Sequence, residues 1–72
     1  MSIPSFKVVL IRLDGLTASF DTCDMKQARY EAQAMMTGLW GKQSPVAKLF
    51  VSHDGQLDEL DVDLIRSMKV AL

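Results

Sequence analysis

Cys23 and His53 are the two side chains of this 72-residue chain whose types suit nucleophilic catalysis. A thiolate beside an imidazole base attacks electrophilic carbon, and a position next to a predicted helix start favours the thiolate form. However, Asp21 and Asp24 flank the thiol and oppose its negative charge, and no third residue is evident that would orient the imidazole. We therefore predict that the chain is not an enzyme, and that Cys23 is a buried packing residue.

Acidic side chains are concentrated near the C-terminal end of the chain. Five of them fall within ten residues with no base between them: Asp54, Asp58, Glu59, Asp61 and Asp63. Their spacing does not match a calcium loop, in which acids alternate before a central glycine. A zinc site needs three or four soft or imidazole donors, and this chain has one cysteine and one histidine. We predict no metal and no cofactor.

The acidic stretch also polarises the charge of the chain, although the total is only -1. Residues 1–53 carry four acids and six bases, whereas residues 54–72 carry five acids and two bases. An acidic surface of this kind can dock on a basic partner protein, and its predicted members are Asp58, Glu59, Asp61 and Asp63. The alternative is a solvated helix start, where acids face the positive end of the helix dipole.

Two aromatic residues complete the predicted protein-binding set. Trp40 lies between Gly38 and Gly41, and tryptophan is enriched at binding hot spots because one side chain desolvates a large area. Tyr30 is expected on the solvent side of a helix. The alternative for Trp40 is that it folds back as a lid on the core.

The sequence does not favour nucleic-acid binding, membrane insertion or an oxidising, extracellular environment. The bases are scattered and the predicted strands lack paired aromatics, so direct nucleic-acid binding is not expected. No apolar run approaches the roughly 18 to 20 residues that cross a bilayer, so no membrane insertion is expected. A single cysteine excludes an internal disulfide and is typical of a reducing compartment, which predicts a cytoplasmic protein.

The elements that would position these residues begin with a hairpin. Residues 5–13 and 16–20 favour strands, and Asp14-Gly15 between them is typical of a two-residue type I′ turn. This loop would place Leu13 opposite Leu16. The core face would then contain Val9, Ile11, Leu13, Leu16, Ala18 and Phe20.

In that register, Phe6, Val8 and Leu10 form an apolar stripe on the opposite face, with no obvious cover. Nearly half of the residues are apolar, 49%, in a chain too short to bury them all. We therefore predict self-association through this stripe, as a homodimer with a two-fold axis.

The rest of the chain favours a helix between two hairpins. Asp24 and Gln27 form a capping box, so the helix is expected to begin at Met25. Its apolar face contains Met25, Ala28, Ala32, Met35, Met36 and Leu39. A left-handed glycine, Gly38 or Gly41, would end it.

Residues 46–52 favour a strand, and Asp54-Gly55 favours a second turn before a short edge strand. The last segment fits either a helix, which we favour, or a strand.

These elements predict a single α+β domain spanning residues 1–72. Its small antiparallel sheet has the chain order β-β-α-β, with a short fourth strand, and is packed by one main helix. A C-terminal helix or strand completes it.

This layout of a hairpin closed by Asp14-Gly15, a capped Ala- and Met-rich helix and a following strand resembles small phage-encoded proteins. Some of those are anti-CRISPR or other host-inhibiting proteins. The resemblance implies an inhibitor that occupies a surface of a host defence or nucleic-acid-processing complex. The alternative is a homodimeric structural or assembly protein without an inhibitory role.

Overall fold

A four-stranded antiparallel sheet with helices packed on one face forms the fold of residues 5–68, which the computed structural model describes. The elements in chain order are β1 (Phe6–Arg12), β2 (Thr17–Thr22), α1 (Met25–Thr37), α2 (Leu39–Gln43), β3 (Val46–His53), β4 (Gln56–Leu60) and α3 (Val62–Ser67). The strand order across the sheet is β2-β1-β3-β4. The predicted α+β class, with a small sheet packed by a main helix, is confirmed.

The first hairpin closes through a loop of three residues and not two. Ile11 pairs with Thr17, and the amide of Arg12 donates to the carbonyl of Leu16 at 2.9 Å. Gly15 then occupies the left-handed region at φ 93°. A type I turn followed by a left-handed glycine bulge is the usual form of a three-residue hairpin loop. The predicted pairing of Leu13 with Leu16 is therefore wrong.

A register change of one residue turns every side chain of β1 to the other face of the sheet. Val8 and Leu10 have no exposed surface, and they pack with Leu49 and Val51 of β3 in the core. Phe6 is half-buried against the same core. Val8 and Leu10 of the predicted self-association stripe are thus interior to a single chain, where they cannot contact a second copy.

The residues predicted inside occupy the opposite, open side. Val9 and Ile11 are only half-buried there, and Leu13 and Leu16 at the turn are exposed. Ala18 and Phe20 do face the core, because they pair with Leu10 and Val8.

The second hairpin has the turn that Asp-Gly favours. His53 pairs with Gln56, so the loop contains two residues, and both have positive φ: 51° at Asp54 and 78° at Gly55. This geometry is a type I′ turn. The edge strand β4 extends to Leu60, which is longer than the sequence predicted.

The start of α1 is confirmed. The Asp24 side chain accepts a hydrogen bond from the Gln27 amide at 2.7 Å. The structure shows no reciprocal bond from the Asp24 amide to Gln27, whose side chain instead donates to Glu31 at 2.9 Å. Ala28, Ala32 and Met36 are buried as predicted, whereas Leu39 lies beyond the end of α1 and is 83% exposed.

The end of α1 differs from the prediction. Gly38 has φ -82°, so it is not left-handed, and the chain continues directly into α2. Gly41 is buried, and a Cβ atom built on it would lie 2.2 Å from the carbonyl oxygen of Met36. The absence of a side chain at position 41 therefore allows α2 to fold back against the end of α1.

Gly41→Ala is expected to lower the free energy of unfolding by about 2–3 kcal/mol, because the added methyl group meets backbone that cannot rotate away. Gly55→Ala is the matched control: it has open space around its Cβ position but a positive φ of 78°, and its cost is about 1 kcal/mol. Urea unfolding followed by circular dichroism measures both. A smaller loss for Gly41→Ala than for Gly55→Ala would contradict the steric argument.

The last described segment combines the two predicted alternatives. β4 ends at Leu60, Asp61 caps α3, and α3 runs from Val62 to Ser67, so the favoured helix is present and directly follows a strand. The end of this segment, residues 69–72, lies outside the described residues. Within residues 5–68, no helix has both the length and the apolar character to cross a bilayer.

Candidate functional site

An open groove of about 650 Å³ lies at the corner where β4 ends and α3 begins. One wall comes from the first turn and the start of β3, and consists of Leu13, Pro45, Val46 and Ala47. The other wall comes from the end of β4 and from α3, and consists of Glu59, Leu60, Asp61, Val62, Asp63 and Arg66.

The groove exists because β3 extends past the end of its partner strand. The last pair between β3 and β4 joins Leu49 to Leu60, so residues 46–48 have no β4 partner. A bulge in β3 at this point places Arg12 opposite Val46 and leaves Ala47 exposed. The first wall is tied together by a hydrogen bond from the Leu13 amide to the Pro45 carbonyl, at 2.9 Å.

Asp61 is held in a defined orientation at the mouth of the groove. Its Oδ1 atom accepts hydrogen bonds from the amides of Asp63, at 2.9 Å, and Leu64, at 3.2 Å. This is an N-cap, which satisfies two of the free amides at the start of α3. No hydrogen bond to Oδ2 occurs within residues 5–68, so that oxygen can accept from a ligand.

The charge of the groove is negative. Asp63 pairs with Arg66 at 3.1 Å, but both side chains are exposed, and such a surface pair is weak. Among the lining residues Arg66 is basic, whereas Glu59, Asp61 and Asp63 are acidic. The lining also offers apolar side chains, among them Pro45, Leu60 and Val62. This combination suits a lysine or arginine side chain, which has an apolar stem and a charged end.

The structure brings together three of the four predicted acidic residues. Glu59, Asp61 and Asp63 line the groove, whereas Asp58 pairs with Val51 on the other face of the strand and is not a lining residue. Tyr30 is exposed on α1, as predicted, and does not line the groove.

Trp40 also lies outside the groove lining, and its surroundings match the lid alternative. Its ring is 5.0 Å from the guanidinium carbon of Arg12, in a cation–π contact. Its carbonyl oxygen accepts a hydrogen bond from Nη1 of the same arginine at 3.0 Å. Trp40 is therefore a half-buried cover over Arg12.

Arg12 is the structural residue that the sequence analysis missed. Its side chain is 3% exposed and donates to Asp14, Gln43 and the Trp40 carbonyl. The hydrogen bond from Arg12 is the main cause that lowers the pKa of Asp14 below its ordinary value. The signal was present: Arg12 shares the alternation of Val8 and Leu10, and it stands two residues before Asp14.

The two residues considered for catalysis are not joined. Cys23 is exposed, so its predicted packing role is wrong. The His53 ring stacks on Phe6 at 4.0 Å between centroids, and its Nε2 lies 3.2 Å from Asp54. Among residues 5–68, no hydrogen bond links Cys23 to His53, and no group of three or more histidine, cysteine or acidic side chains is placed to hold a metal ion.

The fold and the groove together define a two-layer α+β domain with an acidic, partly apolar corner. No protein-family model, curated protein or solved structure matches the chain.

Proposed function

We propose that this chain is a non-enzymatic protein-binding module that inhibits a host complex by covering a basic surface with its acidic groove. The observation that supports the proposal is the groove itself: three acidic residues, Glu59, Asp61 and Asp63, and several apolar residues line it at one corner of the fold. The bound element would be an extended basic segment of the partner.

The lining favours a basic protein segment over a free cation. Carboxylates attract lysine and arginine, and they increase the rate at which such a partner is captured. The apolar side chains Pro45, Leu60 and Val62 give the aliphatic stem of the incoming residue a surface to cover. A small inorganic cation would leave this apolar surface unused.

The proposed partner class follows from where exposed basic surfaces occur. Complexes that process nucleic acid carry lysine and arginine side chains that bind phosphates. A carboxylate such as Asp61 Oδ2 would satisfy the same donors, so the chain would compete with the nucleic acid. We propose a cytoplasmic host defence or nucleic-acid-processing complex as this partner.

The groove variant that tests this proposal is Asp61→Asn combined with Asp63→Asn. Asparagine caps helices as well as aspartate, so the start of α3 is retained while two charges are removed. The probe is an extended peptide of alternating arginine and valine, followed by fluorescence anisotropy. We expect the variant to bind this peptide roughly tenfold more weakly than the original chain.

The matched control is Asp54→Asn combined with Asp58→Asn. It also removes two negative charges from the acidic stretch, but at positions that do not line the groove. Asparagine tolerates the left-handed φ of position 54. The control should bind the peptide almost as well as the original chain. Equal losses in both double variants would mean that net charge alone drives binding, and would contradict a role for the groove.

A second experiment addresses the inhibitory role. Partners captured from a bacterial lysate on the immobilised chain should be released by an excess of a short DNA duplex, because both ligands occupy the same basic surface. Release should be absent with an uncharged polymer of similar size. Partners that stay bound at saturating duplex would contradict the proposal that the chain covers a phosphate-binding surface.

A further inference from the structure

The face of the sheet opposite to α1 and α3 has no helix or strand packed on it within residues 5–68. At its centre Val9 of β1 lies beside its register partner Phe50 of β3. Ile11 lies next to them along β1. Part of the apolar surface that stays accessible is therefore on this open face, whereas Val8 and Leu10 of the predicted stripe have no exposed surface.

The apolar centre continues toward the edge of the sheet. Leu57 of β4 pairs with Ser52, on the same side as Phe50, and is 65% exposed. Val9, Ile11 and Phe50 are only half-buried, although each is in or next to the middle of the sheet. A contiguous apolar row on an open sheet face is a candidate interaction surface.

The charges that the described residues place around this centre cancel. Lys7 and Lys48 of the two central strands face the open side, as do Asp21 and Glu59 of the two edge strands. A face with two charges of each sign offers no net attraction to a nucleic acid or to a strongly charged protein. It offers no net repulsion to a copy of itself.

We propose that two copies of the chain pack through their open faces, around a two-fold axis parallel to the strands. Such an axis places β1 of one copy over β3 of the other, so each Phe50 packs on the partner copy's valine at position 9. It also places β4 over β2, which brings Glu59 over Ser19. An axis across the strands would instead bring Glu59 onto its own copy, with like charges opposed.

The size of the face determines how strongly two copies are expected to associate. Four strands of about six residues cover roughly 19 by 20 Å, so two faces bury on the order of 1,000 Å² of accessible surface. That area is below the range of stable specific interfaces, about 1,200 to 2,000 Å², and is typical of weak, transient ones. We expect a dimer that dissociates on dilution. This inference rests on the open face and not on the groove, although Glu59 borders both.

The test is sedimentation velocity over a series of concentrations, because a dissociating dimer changes its apparent mass with concentration. Phe50→Lys places a charge at the centre of the proposed interface, and should weaken self-association at least about tenfold. Tyr30→Lys is the matched control, since it changes an exposed aromatic residue on the helical side. Circular dichroism confirms that both variants are folded, and Val9→Lys replaces Phe50→Lys if the latter is not.

The outcomes are distinct. Dimers of the original chain and of Tyr30→Lys, with a monomeric and folded Phe50→Lys, support the proposal. A chain that stays monomeric at every concentration overturns it, and leaves the open face to water or to a different protein. A dimer that persists unchanged in Phe50→Lys also overturns it, because the copies then meet through another surface.

Discussion

Leu10→Asp is expected to unfold the chain, whereas Val9→Asp, one residue earlier in the same strand, should leave it folded. Leu10 has no exposed surface and lies between Ala18 and Leu49. A domain of this length has a total stability of about 4–11 kcal/mol. An unpaired carboxylate in the core costs several kcal/mol or forces its own protonation, and the leucine packing is lost as well.

Val9 is the matched control because it receives the same charge on the open face, where the carboxylate stays in contact with water. Thermal unfolding followed by far-ultraviolet circular dichroism, at a concentration low enough to exclude self-association, measures both variants. The pair is a direct test of the strand register. If Val9→Asp unfolds and Leu10→Asp folds, then the two-residue loop predicted from Asp14-Gly15 is right, and the observed register is wrong.

Arg12→Met is expected to produce the second large loss. Methionine keeps the apolar stem but removes every donor, so the Trp40 carbonyl and the Gln43 side chain lose a hydrogen bond at a site where Arg12 is almost fully buried. Asp14 also loses the partner that ties it to the strand. The turn between β1 and β2 and the helix α2 would then no longer be joined.

The measurement for Arg12→Met is the midpoint of thermal unfolding. We expect a decrease on the order of 10 °C, given the unfolding entropy of domains of this size. Arg66→Met is the matched control, because Arg66 is exposed and its ion pair with Asp63 is on the surface; its midpoint should hardly change. A similar small change in both variants would contradict a structural role for Arg12.

The pH dependence of stability separates the ion pair from the other contacts of Arg12. Arg12 lowers the pKa of Asp14 below its ordinary value of 3.8. A lowered pKa means that the pair stabilises the fold fully above that value, and that this contribution is lost as the pH falls through the folded pKa. The original chain should therefore lose more stability than Arg12→Met when the pH is lowered below 3.8. Parallel curves for the two proteins would contradict the pairing.

The two Asp-Gly turns show where sequence reasoning succeeds and where it fails. Asp54-Gly55 forms the two-residue turn that the dipeptide favours, whereas Asp14-Gly15 belongs to a three-residue loop. The difference comes from interactions outside the dipeptide. At the first turn the Asp14 carboxylate is held by Arg12 and accepts from the Leu16 amide, and the Leu13 amide donates to Pro45.

The sequence by itself determined the features whose causes are local. The start of α1 depends on one side chain three residues from the amide it caps, and the second turn depends on two residues that tolerate positive φ. The α+β class follows from the order of such local signals. The acidic stretch was visible for the same reason, because its members are neighbours along the chain.

Only the tertiary structure decided which face of β1 is buried and where the groove lies. Both alternations of β1 are largely apolar, so the choice depends on the contacts with Leu49 and Val51, about forty residues away. The groove needs the end of β4 beside Pro45 and Ala47, segments that the sheet brings together. Long-range packing selects among arrangements that local preferences leave nearly equal in energy, and it did so at both places.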